Sequence, residues 1–85
     1  MREVTIDCRG FVPRSDLHKA LADALLFPDW YGNNLDALHD MLTDIHQNTT
    51  LVLLHFDKED PDNRGFLRVL EDSQRENPCL QVIFA

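Results

Sequence analysis

The 85-residue sequence predicts an α/β fold, a small three-stranded parallel sheet packed with helices, formed as a single domain over residues 1–85. Three observations lead there. Short strand-like stretches lie at the beginning, middle and end of the chain. The segments between them repeat their apolar residues at the helical period. Strands separated by helices need crossover connections, which are right-handed and lay the strands parallel.

The first strand is Val4-Thr5-Ile6-Asp7-Cys8, alternating apolar and polar, and Arg9-Gly10 breaks it. Ser15 is a good N-cap for a helix from Asp16 to about Leu25, with Leu17, Ala20, Leu21, Ala24 and Leu25 in period. Pro28 ends that helix. Gly32 supplies a backbone free to take positive φ, and Asn33 or Asn34 can cap a second helix beginning near Leu35. Leu35, Leu38, Leu42 and Ile45, with Met41 beside them, give that helix one apolar stripe facing a core. After Gln47-Asn48, the run Thr50 to Phe56 suits a strand buried on both faces. Pro61 can sit in the first turn of a last helix. Phe66, Leu67 and Leu70 are its buried side, and Asn77-Pro78 stops it. Cys79 to Ala85 closes the chain as a third strand, alternating Leu80, Val82 and Phe84 against Gln81 and Ile83.

Cys8 falls late in the first strand and Cys79 at the start of the last. In parallel strands those ends are opposite, about 15 Å apart for a five-residue strand, beyond the reach of a disulfide. Free thiols suit a reducing compartment. No stretch approaches a membrane span and no signal-type run opens the chain, so a cytoplasmic protein is expected.

Charge is unevenly placed. Between Lys19 and Lys58 stand six carboxylates (Asp23, Asp29, Asp36, Asp40, Asp44 and Asp57) and no Lys or Arg. The remainder holds nine acids and eight bases, so nearly all of the net −7 belongs to one central segment. Asp36, Asp40 and Asp44 recur at i, i+4 and i+8 along one flank of the second helix, with His39 next to them. Like charges so placed cost an isolated helix about 0.2–0.5 kcal/mol a pair, and a concentrated negative field attracts a basic partner. It would repel nucleic-acid phosphates.

Other motifs carry less. Asp60, Asp62, Gly65 and Glu71 fit positions of a calcium loop, but Arg64 puts a cation where an oxygen ligand is required. The four histidines lack zinc spacing, and His18 and His55 read as packed residues in or at the edge of the core. No metal or cofactor is expected. Nothing joins a nucleophile to a base, which leaves a small hydrolase using His39 with Asp36 or Asp40 as a distant reading.

Ser15-Asp16-Leu17-His18, Leu21, Pro28, Tyr31-Gly32, Asn34-Leu35-Asp36-Ala37-Leu38, Asp40 and Leu42-Thr43 resemble the barstar family, intracellular inhibitors of the bacterial ribonuclease barnase. The likeness runs without a gap from about Val4 to Ile45, and is looser beyond. It implies a three-stranded parallel sheet with helices. It also implies that Trp30, Gly32, Asn34, Asp36, His39 and Asp40 face a ribonuclease active site, with Asp40 in the place of a substrate phosphate. A further family contact falls nearest Asp72. Trp30 stands where the family's best-known member has tyrosine, and His39 where it has tryptophan, which bears on partner choice. The expectation is therefore a non-enzymatic immunity protein. It would be monomeric when free, would bind a basic extracellular-type ribonuclease, and would use Asp44 for added complementarity. The alternative is a binding module for another basic protein.

Overall fold

Three strands, β1 (Arg2–Asp7), β2 (Thr49–Leu54) and β3 (Leu80–Phe84), pair in parallel in the order β1-β2-β3, with Val4 beside Leu51 and Leu51 beside Val82. The helices are α1 (Ser15–Leu25), α2 (Leu35–Thr43) and α3 (Arg64–Glu76), and a 3-10 turn at Pro61–Asn63 leads into α3. This computed structural model describes residues 2–10 and 15–85, without the side chain of Ser15. Ser15 is the first residue of α1, and the capping role expected of its side chain lies outside the described residues.

Right-handed crossovers that step across a sheet in one direction place every helix on the same face, and burial agrees. Val4 and Ile6, Leu51 and Leu53, and Leu80, Val82 and Phe84 share the core face with Leu17, Leu21, Leu38, Leu42, Phe66 and Leu70. On the other face Thr5, Asp7 and Gln81 are exposed, Ile83 is 40% exposed, and Val52 and Leu54 are only half-buried. On this face of β2 only Thr50 is buried, so the expectation of a strand buried on both faces is corrected for Val52 and Leu54. The free thiols of Cys8 and Cys79 are as expected.

Side chains finish what the ladders leave open. Gln74 on α3 accepts from the Val82 N–H on the outer edge of β3 at 2.5 Å. Buried Asn77 joins α2 to the end of α3: its Nδ2 donates to the carbonyls of Leu42 (2.9 Å) and Ile45 (3.0 Å), and its Oδ1 accepts from Cys79 N–H (2.9 Å). The Leu42 carbonyl in the last turn of α2 and the Ile45 carbonyl just beyond it thereby gain a side-chain donor.

α1 ends at Leu25 as expected, but it stops three residues before Pro28 because Leu26 turns left-handed (φ 59°) and Phe27 N–H reaches back to Ala22 C=O at 2.9 Å. Three other local expectations change. Leu67 is half-buried and apart from the core, where Phe66, Leu70 and Ser73 form the buried stripe of α3. His55 is exposed in the turn after β2, with φ 60°, and not packed. α2 ends at Thr43, so Asp44 is its C-cap and not part of its last turn.

Candidate functional site

The segment from Pro28 to Asp44 is anchored by one buried residue. Tyr31 N–H closes a turn onto Pro28 C=O at 2.9 Å, and the Tyr31 ring packs against Phe27 with centroids 4.9 Å apart. Its hydroxyl shares a 2.6 Å hydrogen bond with His18 Nδ1, and the His18 ring lies 4.7 Å from that of Phe66. Burial lowers the His18 pKa below the usual 6.5 and pushes Tyr31 up to about 12. Both are neutral at pH 7, and the pair ties α1 to the turn without a buried charge. With Tyr31 turned inward, its neighbour Trp30 is left 74% exposed.

The cap geometry differs from expectation in one respect. Asn33, not Gly32, takes the left-handed backbone (φ 51°), and asparagine tolerates it because its short polar side chain is suited to that region. At Gly32 the matter is space: a Cβ there would meet Asn34 Nδ2 at 2.9 Å, so the capping side chain would have to shift. Asn34 is the N-cap, its Oδ1 accepting from Ala37 N–H at 2.8 Å while its amide leans on Gly32 C=O at 3.4 Å. Leu35, the first helical residue, approaches Gly65 so closely that a Cβ at 65 would lie 2.6 Å from its Cδ1. The start of α2 is therefore fixed from both sides.

Along α2, Asp36 and Asp40 are exposed, and among the described residues neither carboxylate has an ion-pair partner. Asp44 lies at the end of this flank, with His46 Nε2 3.8 Å from its carboxylate and both side chains in solvent. His39 is engaged. Its Nε2 meets Glu76 Oε2 on α3 at 2.5 Å. That hydrogen bond raises the His39 pKa above 6.5, desolvation opposes it, and the charges of Glu76, Asp40 and Asp72 add to the rise. Asp72, half-buried, is bonded to Arg75 Nη2 at 3.1 Å on its own helix.

The structure thus brings His39, with Asp40 next to it, to Glu76 and Asp72 on α3, while Asp36 stands one turn earlier on α2 and Trp30, Gly32 and Asn34 lie in the turn that launches that helix. Glu76 is the residue sequence reasoning missed. Its i+4 relation to Asp72 placed it on the same flank of α3, but no spacing tells that this flank meets His39. Among the described residues no cluster of three His, Cys, Asp or Glu could hold a metal ion, and no helix is long and apolar enough to cross a membrane.

These features define a small α/β protein that presents an acidic helix and an exposed aromatic turn on a firmly supported base. The chain belongs to the barstar family: a model of that family, described as Barstar (barnase inhibitor), matches residues 1–84. It is also similar to a Bacillus subtilis (strain 168) protein named "Putative ribonuclease inhibitor YrdF", 41% identical over 81 residues and covering 89% of each chain.

Proposed function

We propose that the chain is a protein inhibitor of a bacterial ribonuclease, a cytoplasmic immunity protein that blocks the enzyme's active site with its acidic turn and helix and performs no chemistry. The single observation that carries this reading is the pair of exposed carboxylates Asp36 and Asp40, without an ion-pair partner among the described residues and held beside the Trp30–Asn34 turn in a chain of the barstar family. A ribonuclease active site gathers cations to hold phosphate, and a fixed carboxylate can take that place. The net −7 of the protein accelerates encounter with such a basic enzyme.

In this reading Trp30 stacks on the partner, Gly32 and Asn34 bring the backbone close, and Asp40 enters the phosphate position. Asp36 and Asp44 add complementarity around it, and His39 and Asp72 border it. The test is titration of purified protein into barnase and into any ribonuclease encoded beside its gene, following RNA cleavage at low and moderate salt. Stoichiometric inhibition that weakens with salt supports the reading. Full cleavage with every enzyme tried overturns it and favours a binding module for some other basic protein.

A further inference from the structure

Leu26 is out of place by two physical criteria. It is 81% exposed, the most exposed large apolar side chain among the described residues. It also holds φ 59°, in the ring that closes α1 through Phe27 N–H and Ala22 C=O, a position normally given to glycine because a Cβ there is crowded. A strained backbone carrying an exposed leucine gains the free fold nothing that glycine would not supply. Such strain gathers where a side chain is wanted for contact.

The surroundings say what kind of contact. A groove of about 430 Å³ runs from the end of α1 to the turn, with Ala22, Phe27 and Tyr31 giving apolar walls and Asn33 marking the turn end. Asp23 and Asp29 stand on it, and among the described residues neither carboxylate has an ion-pair partner; one base, Lys19, shares the groove. Leu26 adjoins Phe27 in the chain, and exposed Trp30 follows Asp29. The groove thus sets apolar walls beside two acids and one base and reaches the candidate site at Asn33, and Leu26 stands next to it in the chain without lining it.

We propose that Leu26 is a contact residue for the same ribonuclease, seating on an apolar side chain of the enzyme bordered by Lys or Arg, so that the interface extends from α2 over the cap of α1. The inference rests on the inhibitor reading above. It adds to the electrostatic site a short-range apolar one, which responds to shape and not to salt.

The test uses Leu26→Gly, because the two roles open to this residue predict opposite results. Glycine relieves the left-handed strain, so the melting temperature of the free protein holds or rises. Binding to barnase, or to the ribonuclease that the wild-type chain inhibits, falls by roughly tenfold or more as the buried leucine surface is lost. Leu26→Asn, which also accepts this backbone, shows the same loss, and Leu26→Met retains most of the affinity. Asp40→Ala is run in the same assay. Inhibition abolished by Asp40→Ala with Leu26→Gly at wild-type strength overturns the contact and leaves the inhibitor reading standing. A joint fall of melting temperature and affinity in Leu26→Gly assigns the residue a structural role and overturns the contact. Absence of binding by the wild-type chain overturns both.

Discussion

Asn77, at the end of α3, donates its side-chain amide to the carbonyl oxygen of Leu42 near the end of α2, across 2.9 Å and 35 positions of sequence. The helix bearing Asp36 and Asp40 is held at its far end by this residue and at its near end by the Asn34 cap and the Leu35–Gly65 approach. Replacing Asn77 by Ala removes three hydrogen bonds, including the only side-chain donor that the structure gives the Leu42 and Ile45 carbonyls among the described residues. A loss of about 2–4 kcal/mol is expected, read by urea denaturation. Asn77→Asp should also destabilise at neutral pH, because a carboxylate cannot donate to Leu42 and Ile45.

Asp40→Ala should weaken ribonuclease binding far more than Asp23→Ala. A charge buried against the partner's cations costs about 2–5 kcal/mol when one side is truncated, a range to which barnase–barstar measurements themselves contribute. Asp23 borders the α1-cap contact proposed above and lies outside the phosphate position, so its loss costs less affinity and mainly slows encounter. Calorimetric titration of both variants checks this, and equal effects would sink the docking arrangement.

Stability should carry a signature of His39. Its folded pKa is raised above 6.5, so the stabilisation from the Glu76 pair is fully present below that value and is lost as pH climbs through the higher folded pKa. His18 works in the opposite sense: burial lowers its pKa, so acidification through 6.5 penalises the fold. The difference in melting temperature between wild type and His39→Gln isolates the first effect. It should be largest at about pH 5.5 and shrink by about pH 8.5. A flat difference would mean that the pair adds nothing to folding.

Ser73 is fully buried, and among the described residues its Oγ has no hydrogen-bond partner. Ser73→Ala removes an unsatisfied hydroxyl and improves helix propensity at almost the same volume, so it should stabilise the protein by about 1 kcal/mol. A rise in the urea midpoint is the measurement. A fall would reveal a partner for the hydroxyl.

Much of this architecture is legible in the sequence because its cause is local. The stripe Leu35, Leu38 and Leu42 and the alternation of Leu80, Val82 and Phe84 follow from neighbours only a turn or a residue pair away. The same locality places Asp36 and Asp40 on one flank. Legibility ends where the cause is distant. Val52 and Leu54 are as apolar as Leu51 and Leu53, and only the strand order decides that the helices leave one face open. The left-handed backbone falls on Asn33 and not on Gly32, a choice between adjacent turn residues that composition does not reveal. Glu76 comes to His39 through the approach of two helices. Leu26 shows its strain only once the backbone is seen.

The Gln74–Val82 bond bears on how the molecule behaves in company. β3 is an outer strand, and the outer row of a parallel sheet is a template on which another chain can add a strand. Because Gln74 already occupies the Val82 N–H in the middle of that row, an incoming strand would have to break a bond in order to make one. The edge closest to α3 is thus made a poor seed for aggregation by a single amide, at no cost to the surface that faces solvent on α2.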